Sequence, residues 1–102
     1  MDSVWKTATI AQDGTVSGAV DLGDHYDSMK IIIPTIDSAN ISLQVSRDNS
    51  TFQQLGDSNN YFAAGTGAIS TVFNLYGWRY VKVVASAAQT TGAVTFYVQG
   101  RN

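Results

Sequence analysis

The chain has 102 residues, of which 44% are hydrophobic and 14% charged, with a net charge of -2. That length holds one hydrophobic core and excludes two, and with no cysteine there is neither a disulfide frame nor a thiolate metal site. The basic residues Lys6, Lys30, Arg47, Arg79, Lys82 and Arg101 stand singly, so there is no phosphate-tracking patch and direct nucleic-acid binding is not expected, and no apolar run approaches the roughly 20 residues of a membrane-spanning helix.

All eight acidic residues are Asp, while Thr, Ser, Val, Ile and Gly are plentiful, a composition that feeds strands and turns rather than helices. Met1 to Lys6 shows no basic region followed by an apolar run, so no export signal is expected. Val4 to Ile10 reads as a first strand, closed by the turn Gln12-Asp13-Gly14. Val16, Gly18, Val20 and Leu22 then alternate with smaller or polar residues, so the two segments are expected to form a hairpin. Gly23 to Ser28 is a polar connection. Met29 to Ile33 is a β-branched run that predicts a buried strand ending at Pro34, the only proline.

Asn40 to Ser46 alternates most cleanly, with Ile41, Leu43 and Val45 on the core side. After the turn residues Arg47 to Thr51, Phe52 and Leu55 predict a short return strand and a second hairpin. Gly56 to Ala68 reads as a long loop with a short extended piece at Tyr61 and Phe62. Ile69 to Leu75, Tyr80 to Ala85 and Val94 to Val98 complete the strands, with Gly77 and the polar turn Ser86 to Gly92 between them. The pattern predicts a single all-β domain over residues 1–102: one antiparallel β-sandwich of about eight strands, jelly-roll-like, with an immunoglobulin-like arrangement as the alternative.

Chemistry is sparse. His25 is the only histidine and lies among Asp21, Asp24 and Asp27; one imidazole without cysteine cannot build a zinc site, and Asp in such a segment is ordinary turn chemistry before it is calcium chemistry. No nucleophile elbow, dinucleotide fingerprint or phosphate loop occurs, and every Asp lies in polar, turn-like sequence. No catalytic residue, metal ligand or cofactor is assigned, and the chain is not expected to be an enzyme. Asn40-Ile41-Ser42 and Asn49-Ser50-Thr51 match the glycosylation triplet by chance. The rings of Trp5, Tyr26, Tyr61, Phe62, Tyr76, Trp78, Tyr80 and Tyr97 are the notable feature, because several fall outside the core pattern and exposed rings mark recognition surfaces. Val4 and Trp5 in the N-terminal arm from Met1, Asp24, His25 and Tyr26 in the acidic loop, and Trp78 with Arg79 are the candidate protein-interface residues.

Three stretches carry a resemblance. Val4-Trp5-Lys6-Thr7-Ala8-Thr9-Ile10-Ala11 with Ser17-Gly18-Ala19-Val20-Asp21-Leu22-Gly23, then Ile41 to Phe52, then Gly77-Trp78-Arg79-Tyr80-Val81-Lys82-Val83, together covering most of the chain, resemble the capsid decoration, or cement, proteins of tailed bacteriophages. The resemblance implies a sandwich or jelly-roll domain on the capsid surface of the virion, made in the host cytoplasm. It would bind the major capsid protein and associate with itself as a homotrimer. In that family the loop corresponding to Gly56 to Ala68 varies. Arg79 to Val83 is also similar to the late strand of galactose-binding sandwich domains, which makes a glycan- or receptor-binding module the alternative.

Overall fold

Seven strands, every pair antiparallel, make up the fold in the computed structural model, which describes residues 4–57 and 60–101. They are β1 (Lys6–Ile10), β2 (Val20–Asp21), β3 (Ser28–Ser46), β4 (Gln53–Gln54), β5 (Phe62–Asn74), β6 (Tyr80–Ala85) and β7 (Val94–Arg101). The organising element is β3, whose 19 residues serve two layers. Its first half pairs with β7 and β5, Ile31 lying opposite Val98 and Thr71; its second half pairs with β6 and β4, Leu43 lying opposite Val83, and β5 follows it past the bend as far as Ile41. β1 extends the first layer on β7, and β2 extends the second on β6. The result is the jelly-roll-like sandwich that the composition predicts.

Period-two alternation fills the space between the layers. Met29, Ile31 and Ile33 from one half of β3 meet Ile41, Leu43 and Val45 from the other, with Val81, Val83, Phe96 and Val98 between them, all buried. Each such side chain contributes about 1.5–3 kcal/mol of transfer free energy, which lets the domain hold without a disulfide.

The structure corrects several expectations. Pro34 does not end a strand: β3 runs through it and bends between Thr35 and Ala39, where the ladder with β5 shifts register. The pairing with β7 stops at Ile32, and Pro34 has no paired residue in β5, so its missing N–H costs nothing there. Merging the two expected strands brings the count from eight to seven. Most of Gly56 to Ala68 is likewise strand. β5 begins at Phe62 and follows the bend of β3, using positive φ at Gly65, Gly67 and Ala68. The first expected hairpin does not form. The turn itself is present, with Gly14 N–H donating to the Ala11 carbonyl, but the chain then crosses to the other layer. Ser17 is buried there, its hydroxyl accepting from Val83 N–H, while Val16 is exposed; β1 pairs with β7 and β2 with β6. The second hairpin forms as expected, with Val45 opposite Gln53.

Candidate functional site

Both ends of β3 lie at one end of the sandwich. Ser28 pairs with Asn74 at the end of β5, Ser46 pairs with Tyr80 at the start of β6, and five residues, 75–79, join the two. The loops 22–27, 47–52 and 75–79 therefore share this end, and it collects the interface residues expected from the sequence. The 22–27 loop is tied to the 75–79 loop by Leu75 N–H to the Asp27 carbonyl (2.7 Å), Gly77 N–H to the Tyr26 carbonyl (3.1 Å) and Leu22 N–H to the Arg79 carbonyl (3.2 Å). Val4 and Trp5 lead into β1 beside the last residues of β7. Met1–Ser3 of the expected arm lie outside the described residues.

The expected residues divide by environment. Trp5, Val4, Asp24, His25 and Trp78 are exposed. Tyr26 turns inward: its half-buried ring packs where a side chain on Gly100 would stand, so it joins the core rather than the surface. Arg79 is a brace. Its guanidinium donates twice to the Asp21 carboxylate (2.7 and 3.0 Å) and lies 5.2 Å from the Tyr80 ring centre, fixing the 75–79 loop to β2. Asp24 accepts from His25 N–H at 2.7 Å, and among the described residues no three carboxylate or imidazole groups gather around one point.

The 75–79 loop presents Tyr76, which the sequence singles out only as one of eight notable rings. Trp78 N–H donates to the Leu75 carbonyl (3.1 Å), and Tyr76 and Gly77 take φ of +54° and +92°, the geometry of a type I′ turn. Asn, Asp or Gly normally fills the first of those positions; here a tyrosine fills it and is 75% exposed. Strain of about 1 kcal/mol is thus spent holding a ring in solvent. Beside it, Trp78 borders a cleft of about 440 Å³ whose floor is Val45 and Leu55 and whose walls include Arg47, Gln53 and Gln54. Asp48 also borders it, but its carboxylate is occupied by Thr51 N–H, the Ser46 hydroxyl and Ser50 N–H.

A second surface was hidden in the sequence. On the outer face of the β1-β7-β3-β5 layer, Val72 lies opposite Lys30, and Ile32 opposite Tyr97, which in turn faces Thr7. Trp5, Ile32, Val72 and Tyr97 are each 44–53% exposed, and the Lys30 ammonium sits 5.9 Å from the Trp5 ring centre. Four large apolar groups on one flat face exceed what scattered surface residues provide.

Hydrogen bonding sets the acid behaviour of this end. Arg79, then Gly23 N–H, hold the Asp21 carboxyl down to about 2; Thr51 N–H, then the Ser46 hydroxyl, do the same for Asp48. A carboxyl lowered in the folded state stabilises above its ordinary range, and that contribution disappears as pH falls toward the folded value. Tm followed by circular dichroism is therefore expected to be level above about pH 5 and to fall from about pH 4 to about pH 2. Asp21→Asn should flatten part of that fall; an unchanged profile would remove the Asp21 contribution.

No protein-family model matches the chain, and no curated protein matches it significantly. Solved structures share its fold. The SPBc2 prophage-derived protein YomS is similar over 96% of this chain and 95% of its own, with a TM-score of 0.54 and 13% identity. CBM32-1 from a family 31 glycoside hydrolase of Clostridium perfringens is similar over 91% of this chain and 72% of its own, with a TM-score of 0.55 and 13% identity. Chitosan-binding module 1 from a chitosanase/glucanase of Paenibacillus sp. IK-5 matches over 91% and 75%, with a TM-score of 0.57 and 16% identity. At such identities the common property is the fold: the chain is an antiparallel β-sandwich of the type seen in these three proteins.

Proposed function

We propose that this chain is a structural protein of a phage virion that binds the major capsid protein on the outside of the icosahedral shell and reinforces it. The observation that carries the reading is the loop end. Tyr76 is held in solvent on a strained turn, Trp78 follows it in the same loop and the Asp21–Arg79 pair braces that loop, an arrangement suited to recognition. The likeness of the leading strand, middle hairpin and Trp78-Arg79-Tyr80 strand to decoration proteins supports it, as does the fold shared with a prophage-derived protein. Binding through repeated weak contacts on a symmetric shell gains tightness from multivalency.

The test is co-sedimentation with purified capsids of the phage that encodes the chain, together with the temperature at which those capsids open. Tyr76→Asn separates stability from function. Asn suits the positive φ, so Tm should rise by a few degrees, for a gain of about 1 kcal/mol, while capsid binding weakens. Failure of the unsubstituted protein to sediment with capsids would sink the proposal.

The cleft beside Trp78 favours a second reading, a glycan- or receptor-binding module. An aromatic wall with neighbouring amide side chains suits a sugar ring, and two proteins of the same fold are carbohydrate- and chitosan-binding modules. Glycan-array binding lost on Trp78→Ala would support it; capsid binding with a blank array would exclude it.

A further inference from the structure

The cleft beside Trp78 gathers polar groups that the fold itself leaves unused. Among the described side chains that line it, only Arg47 and Asp48 carry charge. Asp48 is fixed within its own turn: the Ser46 hydroxyl (2.8 Å), Ser50 N–H (2.9 Å) and Thr51 N–H (3.0 Å) all donate to the same oxygen, Oδ1. Its second oxygen, Oδ2, accepts no hydrogen bond from the described residues. Those donors, Thr51 N–H first, hold the carboxyl down to about 2, so it is ionised at neutral pH. Arg47 is exposed, and among the described residues its guanidinium has no hydrogen-bond or ion-pair partner, Asp48 included. Gln53 and Gln54 of β4 add two side-chain amides that are likewise unbonded among the described residues.

We infer that this cleft takes an uncharged saccharide, whose hydroxyls donate to Asp48 Oδ2 and accept from the Arg47 guanidinium. The inference rests on the glycan-binding reading of the same cleft and names the charge class of the sugar and the residues that select it. The two opposite charges decide the class. An acidic sugar gains at Arg47 but is repelled at Asp48, and an amino sugar meets the reverse. A hydroxyl both donates and accepts, so a neutral sugar uses both groups, and its bonds to ionised partners are about twice as strong as neutral ones. A wholly apolar ligand would strip water from Asp48 and Arg47 and offer them nothing in return. The Val45 and Leu55 floor and the Trp78 ring suit the C–H face of the sugar, and the two amides suit its remaining hydroxyls. A volume of about 440 Å³ lies within the range of small-ligand sites, about 300–1,000 Å³.

Isothermal titration calorimetry tests it, with neutral trisaccharides of glucose, galactose, mannose and N-acetylglucosamine beside the trimers of galacturonic acid and glucosamine. A neutral trisaccharide is expected to bind, the charged trimers to bind about tenfold more weakly or not at all, and Trp78→Ala to abolish binding. Asp48→Asn keeps an oxygen for the three donors of its turn while removing the charge, and should move the preference toward the galacturonic acid trimer. Arg47→Gln touches a side chain with no partner among the described residues, and should move it toward the glucosamine trimer. Both variants should keep the far-ultraviolet spectrum of the unsubstituted protein. A charged trimer bound by the unsubstituted protein as tightly as any neutral one, or a preference that neither substitution moves, would overturn the inference and leave the glycan reading standing. Titrations without heat for every trimer would overturn both.

Discussion

Gly67→Ala is expected to lower Tm by about 15 °C or more, or to prevent folding, whereas Gly65→Ala, two residues away, lowers it by only about 4–8 °C. Both glycines have positive φ, +81° at Gly67 and +58° at Gly65, so alanine at either carries the strain of the left-handed region, about 1 kcal/mol. They differ in what a side chain would meet. At Gly65 the space is open; at Gly67 the added carbon would collide with the Pro34 carbonyl oxygen and press on Ile36. The obstacle is backbone at the bend of β3, which cannot rotate away, so overpacking adds about 1–3 kcal/mol more. Against a total stability of about 5–15 kcal/mol, the sum at Gly67 consumes a large share. Thermal melts of the two variants decide the matter. Equal losses would mean that the bend yields, and that the close approach of β5 to Pro34 is not a fixed feature of the fold.

That bend is also where the sequence misleads. β6, β7 and the second half of β3 are legible because each has one wet face, and alternation of Val81, Val83 and Ala85, or of Phe96 and Val98, records it directly. The bend leaves no such record. Pro34 reads as a stop because proline usually costs a ladder bond, and Gly65-Thr66-Gly67-Ala68 reads as a loop because small residues carry no periodic signal, yet both lie inside long strands. Pairing is equally hidden: β1 finds its partner in β7, about the whole chain length away, and local turn chemistry at Gln12 to Gly14 points to the wrong neighbour. The loop end was partly legible, since Trp5, Trp78 and Arg79 stand out by residue type. Ile32 and Val72 did not, because Ile32 sits in a run of three isoleucines that looks wholly buried, and only the β3–β5 register shows it facing outward. Tyr76-Gly77 does not read as a type I′ turn because tyrosine displaces the residues that normally announce one.

Gln89, in a stretch that reads as a plain polar turn, should prove nearly as sensitive as Gly67. It is 1% exposed at the opposite end of the sandwich, where the bend of β3 meets the β1–β2 and β6–β7 connections. Its side-chain oxygen accepts from Asp37 N–H (2.8 Å), and its amide donates to the carbonyls of Asp37 (3.2 Å) and Ala87 (3.1 Å). Its main chain bonds Gly14 and Asp13, so one residue fastens three segments. Gln89→Leu keeps much of the volume but strips partners from three backbone groups in a part-buried place. At about 1–3 kcal/mol for each group left unmade where water cannot reach, a loss of about 2–4 kcal/mol is expected, or roughly 10–20 °C in Tm. Gln89→Glu gives the result its sign. Ionised, the carboxylate would face two carbonyls and donate to neither; protonated, it could accept from Asp37 N–H and donate to one of them. Burial and those carbonyls raise its folded-state pKa above the ordinary glutamate value of about 4.3. The variant's stability relative to the unsubstituted protein should therefore be highest below about pH 4.3 and decline as pH rises through the raised value. That runs opposite to the acid loss set by Asp21 and Asp48, so a Tm difference that stays constant from acid to neutral pH would show that Gln89 does not hold the bend through its amide.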